Sequence, residues 1–546
     1  MKRLFILLIG FLLFSKEAWS QGDIQTYSYT QYQKINKILY SPLTRLHTSI
    51  KPIFPDDIEV YAALDSVSSR FIDTTQKSWV YRKLFNEHLV QIKKEDFNVY
   101  IDIMPDFQIG RDRTNGRTTW LYSRGYQVGG NIGKKFSFYT SGYENQGVFP
   151  TYLNEFINKN GIIPGLVNDK FGPTKKVKDW AYATATLNYT ANKHFSFTLG
   201  QDKNFIGDGY RSMILSDVAT SYPFFKIATT LGNVKYLNIW AQFQDLRAPQ
   251  FSYENGNRKK WGVFHYLDWS VNNRLSLGFF DAVIWQNSDS EGKRGFDVSY
   301  INPIIFLRTI EGLNGSPDNA LIAFTGKYKL LKKLNVYGQF LLDEFTAKEL
   351  FAKRGYWANK YGVQLGINGY NVFNVNNLNY LIEYNTARPY TYSQRKTILN
   401  YGHYNQPLAH PFGANFREIL TIWNYSFKRF ELYAQANISK YGLDPQSGNY
   451  NPDSRLSYGK DVFEAYVNRA KVNGLDYDYG HRTLQGLKTD FLYLDTRLSY
   501  LINPKTNLRI ELGSAYRKES NTQFTNSTNW VTFGLRSSFR NLYQDF

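Results

Sequence analysis

The stretch Leu492-Tyr493-Leu494-Asp495-Thr496-Arg497-Leu498-Ser499-Tyr500 decides the fold. Successive side chains of an extended chain point to opposite faces. Leu492, Leu494, Thr496, Leu498 and Tyr500 therefore share one face, and Tyr493, Asp495, Arg497 and Ser499 the other. The first face suits hydrocarbon and the second suits water. The same period of two runs through Phe97, Val99, Ile101 and Ile103, and through Ala181, Ala183, Ala185, Leu187 and Tyr189. A chain built of such strands predicts a closed β-barrel crossing a bilayer, because only a helix or a barrel without edges satisfies its backbone there.

The connections between strands set the size. Tight polar turns fall near Gly133–Lys135, Ala191–His194, Gly232–Asn233, Asn272–Arg274, Leu331–Lys333, Val375–Asn377, Lys428–Arg429 and Asn503–Thr506. Each lies between two alternating segments and fits a hairpin. Longer connections rich in Gly, Asn, Asp and Lys fall near 110–118, 144–179, 202–222, 244–260, 286–296, 343–360, 385–416, 440–488 and 517–529. These turns and loops join about 18 strands, with 16 as the neighbouring solution, and the even count places both ends of the barrel on the short-turn side.

The ends of the chain agree with export. Lys2 and Arg3 precede an apolar run from Leu4 to Phe14, and Ala18-Trp19-Ser20 offers small residues before Gln21. Residues 1–20 read as a cleaved signal peptide, too short to anchor in a membrane. The last strand, Trp530-Val531-Thr532-Phe533-Gly534-Leu535-Arg536-Ser537-Ser538-Phe539, puts Val531, Phe533, Leu535 and Phe539 on one face and resembles the C-terminal signal of barrel insertion. The strand reading extends to the final Phe546. Together these features predict a Gram-negative outer-membrane protein, with residues 21–95 as a periplasmic region and 96–546 as the barrel.

Residues 21–95 have a different rhythm. Tyr32, Ile35, Ile38 and Leu39 fall at helical spacing, as do Val80, Leu84, Phe85 and His88, and Pro42, Pro52 and Pro55 break the segment into short pieces. This predicts a small helical region packed against the barrel mouth. Trp120, Trp180, Trp240, Trp261, Trp269, Trp285, Trp357 and Trp530 lie near strand ends and read as two girdles at the lipid headgroups.

Composition narrows the chemistry. The chain is 17% aromatic and carries a net charge of +19. Its mean hydropathy of −0.45 would be odd for a helical membrane protein, yet a barrel with a polar lumen tolerates it. An exported chain does not meet chromosomal DNA, so the positive charge points to lipopolysaccharide heads, acidic or phosphate-bearing glycans, or simply solvated basic loops. The absence of Cys excludes disulfides, thiolate metal sites and a lipid-modified N-terminus. No nucleophile elbow, P-loop or His-Glu-x-x-His pattern occurs.

Three segments stand out. Gly200–Asp217 holds Asp202, Gly207, Asp208, Gly209, Arg211 and Asp217. Gly207 and Gly209 allow a sharp fold back into the lumen, where Asp202, Asp208, Arg211 and Asp217 would pair with the wall. The loop after Asp343 carries Lys353, Arg354 and Trp357 and suits acidic sugars or plain solvation. The loop Asn400–Glu418, dense in His, Asn, Pro and Gly, contains His403, His410 and Arg417. The two histidines lack an acid within the span between them, so hydrogen bonding is favoured over a metal. Ser212 or Ser216 with His403 is the one conceivable nucleophile pair. Basic groups at Arg211, Lys353, Arg354, His403, His410 and Arg417 would neutralise uronate or phosphate, and Trp357 would stack on a sugar ring.

With Trp357-Ala-Asn-Lys-Tyr-Gly-Val-Gln-Leu-Gly366 added, these segments resemble the Wzi-type capsule-assembly outer-membrane family, and within it the gliding-motility RemB branch of Bacteroidota. The resemblance implies an eighteen-stranded barrel without enzymatic activity or cofactor. It also implies that such a barrel binds or organises surface polysaccharide, in support of gliding or capsule attachment. The expected partners are outer-membrane lipid and lipopolysaccharide, surface polysaccharide and gliding or secretion machinery, around a monomeric barrel. The rival reading is a diffusion porin for small or acidic solutes.

Overall fold

The structure, a computed structural model, describes residues 26–54, 57–69, 71–72, 75, 78–247, 258–288, 292–304, 318–344, 346–445, 456–472, 474 and 476–546. The expected signal peptide lies outside the described residues. Eighteen antiparallel strands close into one barrel. They are β1 (Phe97–Asp112), β2 (Arg117–Ile132), β3 (Phe136–Val148), β4 (Lys178–Thr190), β5 (Phe195–Asp202), β6 (Tyr222–Leu231), β7 (Val234–Gln244), β8 (Lys259–Ser270) and β9 (Leu275–Gln286). The second half comprises β10 (Asn319–Leu331), β11 (Leu334–Glu344), β12 (Lys360–Gly369), β13 (Leu378–Ala387), β14 (Phe416–Phe427), β15 (Phe430–Leu443), β16 (Leu487–Asn503), β17 (Leu508–Ser520) and β18 (Thr525–Ser537). β18 closes on β1 from Trp530↔Asp112 to Leu535↔Phe107. Beyond that seam the short strand Val90–Lys93 takes over the edge of β1, pairing with Asn98–Ile101.

The period of two is realised as sidedness. In β16, Phe491, Tyr493, Asp495 and Ser499 are buried on the lumen side, whereas Leu494, Leu498 and Tyr500 are 41–47% exposed on the outside. Ile103, Ile109, Leu199, Leu365, Ile419, Ile438, Leu512 and Phe533 continue the outer apolar belt around the wall. Among the described residues no helix is long and apolar enough to cross a membrane.

Several details differ from the sequence reading. The connections at 113–116 and 521–524 are tight turns, because β1, β2, β17 and β18 extend through what read as loops. The connection after β9 spans 287–318 instead of 286–296. Its described part folds back over the outer wall. Trp240 donates through Nε1 to Tyr300 O at 2.8 Å, and Tyr236 and Asn238 donate to Pro303 O. Asn238, His265 and Asp281, which adjoin each other across β7–β9 on the outward side, are thereby covered by protein. Polar side chains on that side thus do not meet lipid. Only some tryptophans suit a girdle: Trp269 is 45% exposed, whereas Trp180, Trp285 and Trp530 are buried.

The final strand ends at Ser537, and residues 538–546 turn into the lumen rather than continuing as a strand to Phe546. The reason is polar. Arg540 pairs with Asp202 at 2.8 Å, Asn541 donates to Asp217 at 2.8 Å, and Tyr543 donates to Asp217 at 2.6 Å.

The N-terminal segment forms short helices, α1 (Tyr29–Gln33), α2 (Asn36–Leu39), α3 (Ile58–Ser69) and α4 (Trp79–Phe85). Tyr29, Tyr32, Ile35 and Leu39 pack within the barrel, in one cluster with the luminal side chains of Tyr337, Leu381, Leu420 and Tyr433. α3 and α4 stay at the short-turn mouth. There Lys505 reaches Asp65, and Asn503 donates to the carbonyls of Lys83 and Glu87. α4 leaves Trp79, Val80 and Leu84 exposed, and the helical periodicity through His88 breaks because Val90–Lys93 is a strand.

Candidate functional site

Four segments fill the lumen: residues 26–54, the β5–β6 connection, the β13–β14 connection and the tail 538–546. The β5–β6 connection enters as a strand, Phe205–Ile206, that pairs with Ile50–Lys51. At Gly209 the backbone passes so close to the wall that a Cβ would collide with Glu383 Oε1. That approach lets Tyr210 N donate to Glu383 at 2.8 Å. Gly207 faces Gln339 in the same way. Asp202 and Asp217 pair with the tail, as described above. Asp208 lies 3.6 Å from Lys327 of β10 and also accepts from Thr48 and Tyr40.

Arg211 is the hub. Its guanidinium is fully buried and donates to Glu418 of β14, Nη2 to Oε1 at 3.0 Å, and to Asp545 of the tail. Burial opposes its charge, but Asp545 and Glu418 outweigh burial and raise its pKa further. Glu418 also accepts from Asn437 and Asn385 at 2.7 and 2.8 Å. His410 Nε2 lies 2.7 Å from Glu418, and Phe412 N donates to His410 Nδ1 at 3.2 Å. Nδ1 must therefore accept and Nε2 carry the proton. Burial outweighs the pull of Glu418 and lowers the His410 pKa, so the ring is neutral. Loop, tail and wall are thus tied at one buried ionic knot.

The remaining residues singled out in the sequence lie elsewhere. His403 packs on Tyr222 and Phe243 and accepts at Nδ1 from Gln244 N at 3.0 Å, and burial pushes its pKa down to about 3. Ser212 Oγ donates to Ile206 O at 2.6 Å, and Ser216 Oγ donates to the carbonyls of Leu408 and Ala409. Arg354 pairs with Glu349 at 2.6 Å at the long-loop rim, beside the exposed Lys353. The Trp357 ring is already in contact with Tyr466, 4.6 Å between centroids, and with the Arg469 guanidinium, 4.4 Å from its centroid. Arg417 projects outward from β14. Only Arg211 and His410 come together, and neither is accessible.

The accessible concavity is another one. A cleft of about 700 Å³ opens at the long-loop end, over the filled lumen. Its walls come from α5 (Thr151–Asn160), the β13–β14 and β15–β16 connections, β17 and the end of the tail. Phe156 and Phe546 present half-buried rings to it, and Phe412, Tyr441 and Phe463 lie buried in its floor and walls. The Arg247 guanidinium lies 4.9 Å from the Phe463 centroid and pairs with Asp461 at 2.6 Å. Lys460 lies over Tyr441, 4.6 Å from its centroid, and burial pushes its pKa down to about 8. Lys159, Arg247, Lys460 and Arg517 are matched by Glu155, Asp444, Asp461 and Glu519. Such a surface can stack on sugar rings and hydrogen-bond their hydroxyls. No local pattern announces it, because its residues come from segments hundreds of positions apart. The signal that existed was local: Lys460-Asp461-Val462-Phe463 sets two charges beside an aromatic ring. A second cavity of about 210 Å³ runs inside the wall beside Arg497, Arg509 and Arg536, whose charges are paired with Asp495, Glu511 and Asp106. Among the described residues no group of three His, Cys, Asp or Glu side chains gathers as a metal site.

No family model matches the chain, and no curated protein does. Solved structures resemble it in part or whole. One is Wzi of Escherichia coli, an outer-membrane protein involved in group 1 capsule assembly and described as a carbohydrate-binding β-barrel. It superposes with a TM-score of 0.56 at 13% identity, over 95% of this chain and all of that one. OprD of Pseudomonas aeruginosa aligns less well, with a TM-score of 0.40 at 9% identity over 80% of this chain and 94% of that one. At 13% identity the likeness to Wzi is one of fold.

Proposed function

We propose that this barrel sits in the outer membrane, with its short turns in the periplasm, and binds surface polysaccharide in the cleft at its long-loop end without chemically altering it. The observation that carries the reading is the pairing of that cleft with a stoppered lumen. A diffusion channel needs an unobstructed bore, whereas here residues 26–54, the tail 538–546 and two loops occupy it. The apolar belt supports a place in a bilayer, and the fold shared with a carbohydrate-binding barrel supports a glycan ligand. The hydroxyls of Ser212 and Ser216 are engaged by carbonyl groups, which supports a non-enzymatic role. Assignment to gliding motility in the RemB manner, or to capsule attachment, rests on the sequence segments around Arg211, Trp357 and His403 alone.

The test is calorimetric titration of the full chain with polysaccharide extracted from the surface of its own cells. The Phe156→Ala, Lys460→Ala double variant should bind at least tenfold more weakly. Equal binding by the two proteins would remove the cleft from the account. A deletion strain should lose spreading or retained surface polysaccharide, and a strain unchanged in both would defeat the cellular role.

A further inference from the structure

The outer wall is not uniformly apolar. On β14, β15, β16 and β17 the residues Arg417, Lys440, Lys488 and Lys518 point away from the lumen, and all are exposed. They stand toward the long-loop ends of their strands: Arg417, Lys440 and Lys518 each one outward position beyond Ile419, Ile438 and Tyr516 of the apolar belt, and Lys488 one outward position beyond Asp490, which follows Leu492. Arg417 lies directly opposite Lys440 in the β14–β15 ladder. Like charges so placed repel and destabilise the pair of strands. Lys440 Nζ lies 2.7 Å from Asp490 of β16, and Lys488 follows on the same face of that strand, opposite Gly442. Asp490 is the one carboxylate at the outward positions of β14–β17, and it pairs with Lys440. The patch is local. Among the described residues, the outward faces of β4–β6 and β10–β13 carry no Lys or Arg.

A sheet spaces neighbouring strands about 4.8 Å apart, so Arg417, Lys440 and Lys488 converge on a region the size of one or two phosphate groups. Their height matters as much as their number. Cations just beyond a hydrocarbon belt meet headgroups, and the long-loop end, on the orientation adopted above, meets the outer leaflet. We propose that Arg417, Lys440 and Lys488, with Lys518 beside them, dock the phosphate groups of an acylated, phosphorylated glycolipid of that leaflet, the lipid A type, and so hold one lipid molecule against this side of the barrel. The opposed charges on β14 and β15 are relieved when the anion lies between them. The contact depends on the bilayer orientation but not on glycan binding in the cleft.

The test uses the full chain in detergent micelles, with bound lipid counted by native mass spectrometry across a titration. The probes are diphosphoryl lipid A, the same lipid stripped of its phosphates, and phosphatidylglycerol. The wild-type protein should retain diphosphoryl lipid A at least tenfold more tightly than either other lipid. The Arg417→Ala, Lys440→Ala, Lys488→Ala variant should lose that preference, the single Lys440→Glu variant should weaken it in the same direction, and Asp490→Asn should strengthen it. Arg124→Ala, remote on β2, should leave it unchanged. Resistance of each barrel to unfolding in cold dodecyl sulfate confirms that it has formed. Equal retention by the folded Lys440→Glu or triple variant, or equal retention of the phosphate-free lipid, would overturn the proposal. Equal retention of phosphatidylglycerol would reduce the patch to a general anion surface and overturn the glycolipid assignment. Glycan titration of the triple variant should match wild type, so failure here and failure of the cleft reading are separable.

Discussion

Arg211 is held with its guanidinium out of reach of water, between a wall carboxylate and a tail carboxylate. Removing one partner of a buried ion pair leaves the other uncompensated and costs about 3–5 kcal/mol. Arg211→Ala should therefore loosen the stopper without opening the wall. The expected result is faster protease cleavage within 203–221 at unchanged barrel resistance to dodecyl sulfate. Gly209→Ala should act on the same knot by pressing a methyl group against Glu383, at a cost of about 1–3 kcal/mol. Lys460 carries the pH dependence. Burial holds its pKa near 8, below the usual lysine value of 10.5. Its ammonium is therefore present below about pH 8 and lost as pH rises through that value, so titration with an acidic glycan should weaken there. Lys460→Arg, which stays charged, should remove the step. Linkage has the opposite sign for folding: between about 8 and 10.5 the unfolded chain binds the extra proton, so stability gains with pH across that window. Single residues were the least legible part of the sequence. Arg211 and His410 looked available for a ligand because sequence shows charge without showing the partner that quenches it. Glu418 lies eight positions from His410, but Asp545 lies 334 from Arg211.

Strands were more legible than what lies between them. Alternation at Leu492–Tyr500 fixes sidedness from local composition alone, and short polar turns count hairpins. The count came out right even though the turns at 113–116 and 521–524 read as longer loops, since an error in length does not alter the number of connections. The tail failed for a different reason. Phe539 continues the apolar alternation of β18, so nothing local ends the strand at Ser537. The switch is made by Arg540, Asn541, Tyr543 and Asp545 finding partners in distant loops. Covering of the outer wall by the β9–β10 connection is equally non-local, and it reconciles His265 with a strand that otherwise reads as facing lipid. Deletion of residues 539–546 tests the tail as an element. β18 keeps its ladder to β1, so the barrel should still form. With Asp202, Arg211 and Asp217 stripped of their tail partners, the truncated protein should pass ions in a planar bilayer.

At the scale of the molecule, an apolar belt encloses a polar interior that is packed like a core. Buried aromatic clusters run through the lumen from Tyr27 and Tyr32 at one end to Phe412 and Phe463 at the other. A wall of eighteen strands could hold a wide aqueous channel. This chain spends that width on residues 26–54, its C-terminal tail and two loops, and presents a roofless cleft above them. Single-channel recording of the full-length protein in a planar bilayer tests the claim most directly, with the 539–546 deletion as the conducting reference. The account predicts silence, or small flickering currents, from the full chain and steady currents from the deletion. Large steady currents from the full chain would contradict it.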